Sequence, residues 1–187
     1  MKELKAHLWE RHPEDFYVEP QWCSQRLFSN VAFSGPVYDP ACGLGRIVQA
    51  ARDAGYGCVG SDIVSRSSYC FAIEDFLVYR GKSHDCIVSN PPFGIAAIFA
   101  EKALSVARYD VALLLPSKWL YGDARSRWLE TTPLLKVLAL TPRPSMPPGP
   151  VIEAGIEPGS GREDFSWFIW RIGHVGPWTG GWLRRDG

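Results

Sequence analysis

The sequence has no surplus of either charge: 20 Lys and Arg balance 20 Asp and Glu, with a pI near 6.9. A protein that coats nucleic acid or membrane through net charge alone is thereby excluded. Cysteine is sparse and badly spaced for chemistry. Cys23, Cys42, Cys58, Cys70 and Cys86 are odd in number, and no two are close enough for a zinc knuckle or a redox pair. Buried thiols in a reducing compartment are expected instead. The four histidines, His7, His12, His84 and His174, show no spacing for a metal site or a nucleophile relay, so no metal is expected. No apolar run approaches the roughly 20 residues that span a bilayer. The opening MKELKAHLWERHPEDF is charged throughout and lacks a signal peptide's apolar stretch. The expectation is a soluble, cytoplasmic chain with no membrane partner.

What the sequence does have is a core. Hydrophobic residues make up 46% of 187, enough for one domain over 1–187. Short apolar runs alternate with amphipathic stretches. Val37-Tyr38 leads into a glycine turn, and Ile47, Val48, Ala51 and Ala54 then follow a helical period as far as Gly55. Further strands are expected at Gly57–Asp62, Phe71–Ile73, Cys86–Ser89 and Val111–Leu115, with a helix over Ile95–Val106. The runs are continuously apolar rather than alternating, as in strands covered on both faces. The fold class is therefore α/β, a Rossmann-like, doubly wound and mostly parallel sheet of about seven strands. Leu134–Leu140 and Phe165–Ile172 have no helix between them and suggest a terminal antiparallel hairpin. Their Pro- and Gly-rich connection, 141–164, fits either a flap over substrate or a disordered insertion. Trp167, Trp170, Trp178 and Trp182 are most simply edge packing.

Four motifs carry chemistry, each at the end of an expected strand. Asp39-Pro40-Ala41-Cys42-Gly43-Leu44-Gly45 joins a strand to a helix, and its glycines allow a tight turn and close approach to a ligand. Asp39 would repel a pyrophosphate, and Val48 stands where a dinucleotide fingerprint needs a small residue. The pocket suits a cationic ligand instead. Asp62, followed by Ile63, could accept both hydroxyls of a ribose, or merely cap the next segment. Asp75-Phe76 could border a base. Asn90-Pro91-Pro92-Phe93 is the most specific: two prolines end the ladder stiffly and hold the Asn90 oxygen and the Pro91 carbonyl as fixed acceptors. These suit the two hydrogens of an exocyclic amine, with Phe93 stacked on its ring.

DPACGLG, SDI, EDF and SNPPF in this order resemble the class I S-adenosylmethionine-dependent methyltransferases that modify amino groups, within them the compact phage- and prophage-type DNA adenine-N6 enzymes. The resemblance extends over nearly the whole chain. It implies S-adenosylmethionine as cofactor, with Asp39, Pro40, Ala41, Cys42, Gly43 and Gly45 around the methionine part. Asp62 and Ile63 would hold the ribose, Asp75 and Phe76 the adenine, and Asn90 through Phe93 the target amine. The implied partner is DNA, with RNA as a further candidate. Tyr17-Val18-Glu19-Pro20 stands where such enzymes carry an aromatic-x-Thr-Pro element, so Glu19 is a departure. No separate target-recognition domain is expected. Residues 102–143 carry seven basic against three acidic groups. Lys118, Arg125, Arg127 and Arg143 are candidate phosphate contacts, or a solvated face. RNA guanine N2, cytosine N4 and protein glutamine remain alternative amines, and a catalytically silent binding module is the alternative from another class.

Overall fold

A computed structural model describes residues 15–81 and 83–186. The charged opening, with His7 and His12, lies outside the described residues. The strands are β1 (Val37–Asp39), β2 (Cys58–Asp62), β3 (Cys70–Ile73), β4 (His84–Ser89), β5 (Ala107–Pro116), β6 (Leu134–Thr141), β7 (Phe165–Arg171) and β8 (Thr179–Arg184). They form one sheet in the order β3-β2-β1-β4-β5-β7-β6-β8. The first five run parallel, and β7 lies antiparallel between β5 and β6. The expected antiparallel pair is thus present, but its second strand is inserted in the sheet. An eighth strand, β8, extends the edge parallel to β6. It escaped the sequence reading because Gly180 and Gly181 interrupt its apolar character and Leu183 is its buried anchor.

Helices α1 (Gln21–Asn30) and α2 (Arg46–Asp53) cover one face of the sheet, where Leu27, Ile47 and Val48 meet Val37, Val88, Leu114, Trp167 and Ile169. On the other face α3 (Ala96–Val106) and α4 (Asp123–Glu130) bring Phe99, Ala103 and Leu129 against Ile87, Leu113, Phe168 and Trp170. The period of two along β7 therefore sends Trp167 and Trp170 to opposite cores. Both are fully buried, and each indole N–H finds an acceptor: Cys23 O at 3.1 Å and Thr132 Oγ1 at 2.9 Å. These two tryptophans are central core, which corrects the edge-packing expectation. Trp178 and Trp182 belong to the edge, and are 43% and 71% exposed.

The 141–164 connection follows a defined path. It contains the short helix α5 (Gly149–Glu153) and pairs with the chain ahead of α1: Val18 N donates to Pro147 O at 2.9 Å, and Gly149 N donates to Phe16 O at 3.0 Å. Among the described residues no helix is long and apolar enough to cross a membrane, and no His, Cys, Asp and Glu cluster could hold a metal ion.

Candidate active site

Parallel neighbours β3, β2, β1 and β4 all finish at one edge of the sheet, so the residues just past their ends converge. Backbone amides and carbonyls there no longer have ladder partners, which is why ligands of open α/β sheets bind at this edge. Asp39 ends β1 and Asp62 ends β2; Asp75 lies beyond β3 and Asn90 beyond β4. Together with Tyr17 and Glu19 they line a cavity of about 200 Å³.

The turn after β1 is shaped by its glycines. Gly43 and Gly45 have φ of +47° and +79°, and a Cβ on Gly45 would come within 2.3 Å of the Tyr69 ring. The turn is tied to β2 by Cys42 N donating to Ser61 O at 2.9 Å and Gly43 N donating to Asp62 Oδ2 at 2.8 Å. Asp62 Oδ1 accepts from Val64 N at 3.2 Å and from Arg66 Nη1 at 3.1 Å. The Arg66 guanidinium also sits 4.2 Å above the Phe16 ring, so both form the rim over Asp62.

Besides Asp62, which Arg66 pairs with, two more buried carboxyls face the cavity. Asp39 is 1% exposed, and burial pushes its pKa up to about 8, against which Ser89 Oγ (2.7 Å) and Ala41 N (3.2 Å) donate to Oδ1. Glu19 is also held above the usual carboxylate range, chiefly by burial. A cavity with two under-neutralised acids favours a cationic ligand over an anionic one.

Asn90 stands at the wall. Its Nδ2 donates to Tyr17 O at 3.0 Å and to Glu19 Oε2 at 2.9 Å, while its Oδ1 is buried with no partner among the described residues. An orphaned buried acceptor is costly, so its presence points to a donor supplied from outside. On the far side of the wall is a second cavity of about 690 Å³, bordered by Tyr17, Phe93, Trp119, Met146 and Phe165 and by the cations Lys118, Arg125 and Arg162. The Tyr17 and Phe93 rings are stacked there, 11° from parallel with centroids 5.8 Å apart.

No family model matches the chain. A stretch of 103 residues, half of the chain, is 31% identical to the type II methyltransferase M.TthHB8I of Thermus thermophilus. The chain spans about a fifth (22%) of that relative's length. A candidate RNA methyltransferase of Pyrococcus horikoshii superposes with a TM-score of 0.62 at 14% identity, covering 91% of this chain and 97% of its own. The M protein of the type I restriction enzyme EcoKI does so at 0.61 and 13%, covering 92% of this chain and 49% of its own. The chain has the class I methyltransferase fold.

Within this methyltransferase fold, the residues singled out from sequence separate cleanly. Asp39, Pro40, Ala41, Cys42, Gly43, Asp62, Ile63, Asp75 and Phe76 line the first cavity, whereas Gly45 serves behind it as the residue that starts α2. Asn90 and Pro92 line the first cavity and Phe93 the second; Pro91 is buried between them. Lys118 and Arg125 reach the second cavity. Arg127 and Arg143 do not line it and are engaged at the surface by Asp123 and Asp164. Arg46, Arg66, Phe16 and Arg162 were missed, since single residues outside any motif give no signal until tertiary contacts bring them to the cavities.

Proposed function

We propose that the chain is an S-adenosylmethionine-dependent methyltransferase acting on the exocyclic N6 of adenine in DNA. The observation that carries this reading is Asn90 Oδ1, a buried acceptor without a partner among the described residues, on the wall of the first cavity, while Tyr17, which accepts from Asn90 Nδ2, borders the second cavity as well. The first cavity fits the cofactor by its donor set. Asp39 and Glu19 suit cationic groups, Asp62 suits ribose hydroxyls, and Ile63, Asp75, Phe76 and Leu77 suit an adenine with apolar faces and a donor edge. When bound, S-adenosylmethionine supplies a methyl group on a cationic sulfur that leaves as a neutral thioether.

The residues of the chain do the rest. An aromatic amine is a poor nucleophile because its lone pair is shared with the ring. Asn90 Oδ1, with the Pro91 carbonyl as the expected second acceptor, would hold both amine hydrogens, favour a pyramidal nitrogen and direct its lone pair at the methyl carbon. The nitrogen becomes cationic as the new bond forms, which strengthens its hydrogen bond to Oδ1 and gives the differential stabilisation that catalysis requires. Its proton then leaves to solvent. Tyr17, Phe93 and Phe165 offer faces to a base in the second cavity, and its three cations, Lys118 (paired with Glu163), Arg125 and Arg162, outnumber its two acids, Asp15 and Glu163, a small positive excess that suits a phosphate backbone.

The test is methyl transfer from labelled cofactor to unmethylated DNA, RNA and protein in parallel, followed by nucleoside analysis. The expected product is N6-methyladenine in DNA; label in RNA or protein would replace the substrate. Asn90→Ala should abolish transfer while cofactor affinity stays within about twofold. A variant with near-native turnover would overturn the roles given to this wall.

A further inference from the structure

The amide of Asn90 is held from behind. Its Nδ2 spends both hydrogens on protein acceptors, one on the Tyr17 carbonyl and one on Glu19 Oε2. The carbonyl settles which way the amide points, because turning it over would set Oδ1 against another oxygen that cannot donate. Glu19 is itself fixed: it is 5% exposed, Ser24 Oγ donates to its Oε1 at 3.3 Å, and Arg46 Nη1 donates to its main-chain oxygen at 2.5 Å. Pro20 follows, and α1 begins immediately after it. The carboxylate thus approaches Asn90 from a rigid corner of the backbone.

A carboxylate bonded to an amide N–H does more than orient it. Charge-assisted hydrogen bonds are stronger than neutral ones, and the amide is conjugated, so negative charge at Nδ2 increases the electron density at Oδ1. We infer that Glu19 is a positioning residue for methyl transfer, which locks the Asn90 amide with Oδ1 toward the target amine and makes that oxygen a stronger acceptor. The inference rests on the reading of Asn90 given above. Glu19 forms no bond to substrate and takes no proton in this role. The groups that face it are the Arg46 guanidinium, the carboxyl of Asp39, the thiol of Cys23, and the Ser24 and Asn90 side chains. Burial opposes the ionised form and outweighs the Asn90 and Ser24 hydrogen bonds and the Arg46 charge that favour it, so Glu19 titrates above the ordinary carboxylate range.

This gives a signature that a merely structural residue would lack. At saturating cofactor and DNA, kcat of the wild type should rise with pH as Glu19 ionises, and that limb should vanish in Glu19→Gln. The glutamine keeps the shape and an acceptor for Nδ2 but not the charge. We expect its kcat at saturating cofactor to fall about tenfold at pH 8, with KM for DNA within about threefold; the lost charge also weakens cofactor Kd, which saturation removes from kcat. Unchanged kcat, or a loss confined to cofactor Kd, would overturn the inference and make Glu19 inert or a cofactor ligand. A second arm does not depend on turnover. The side-chain amide NMR signals of Asn90, assigned by their absence in Asn90→Ala, should shift with pH in the wild type and not in Glu19→Gln. Signals that ignore pH in both would break the pairing and overturn the inference. If the wild type transfers methyl to no substrate, the proposed function falls, and the NMR arm alone decides whether Glu19 controls Asn90.

Discussion

Replacing Asp39 by Asn should change ligand affinity and stability in opposite directions. Its carboxyl is raised from 3.8 to about 8 by burial, with Glu19 and Asp62 nearby to reinforce the shift. At pH 7 it therefore carries a proton in the free protein, whereas a sulfonium beside it would favour the ionised form. Cofactor binding must then release close to one proton, and affinity must improve as pH rises. With a pKa of about 8, roughly 1% of the group is ionised at pH 6 and half at pH 8, so Kd should tighten ~50-fold between them. S-adenosylhomocysteine lacks the sulfonium charge but shares the amine. The ratio of the two dissociation constants, measured by calorimetry from pH 6 to 8, isolates the effect of the sulfur. It should depend on pH in the wild type and be flat in Asp39→Asn. A flat ratio in the wild type would refute the reasoning.

The stability sign is the reverse. A group whose pKa is raised by folding contributes its full stability below about 3.8 and loses it as pH rises toward about 8. At pH 7 the loss is ~4 kcal/mol, at about 1.36 kcal/mol per pH unit. Asn carries no such penalty, so the ligand-free variant should unfold at higher urea than the wild type, with the gap widening from pH 5 to 8.

Two other predictions concern the turn and the basic rim. Gly45→Ala forces a side chain into φ +79° and against the Tyr69 ring, so it should cost ~1–3 kcal/mol in urea unfolding and weaken cofactor binding; a neutral result would mean that the turn tolerates a second conformation. Neutralising Lys118 and Arg125 together should lower the slope of log affinity for DNA against log salt by about 1–2, whereas the same change at Arg127 and Arg143 should leave it, because those two do not line the second cavity. Equal slopes for the two double variants would return all four to the solvated surface.

The sheet was legible because β4 and β5 carry unbroken apolar runs, Cys86–Val88 and Val111–Leu115, and because β1 and β2 end in Asp39 and Asp62 and β4 runs into Asn90, so that strand and site announce each other. Where that coupling fails, legibility fails too. The edge strand β8 has Gly180 and Gly181 where an inner strand would have valines, and its pairing with β6 is set by the partner strand rather than by its own pattern. Trp167 and Trp170 were legible as a strand but not as its centre, because strand order depends on which element inserts where. The contact of residues 16–18 with 147–149 spans more than a hundred residues and has no periodic signature, yet it sets Tyr17 and Glu19 behind Asn90.

Glu19 shows the limit from the other side. By resemblance it is a departure, an acid where threonine is usual, and that comparison removes it from the expected cofactor contacts. The geometry gives it a different neighbour. Its carboxylate meets Nδ2 of Asn90, and Asp39, another buried acid of the cavity, is held by Ser89, which ends β4 one residue before Asn90. Both acids are therefore anchored to the end of the same strand, within reach of the wall where the methyl group would cross. Burying two such groups destabilises the free protein, and a cationic ligand offsets that cost at the position where a positive charge must be recognised. The free fold is thus strained electrostatically toward the state in which it would act, and the size of that strain is what the pH dependence of ligand affinity reads out.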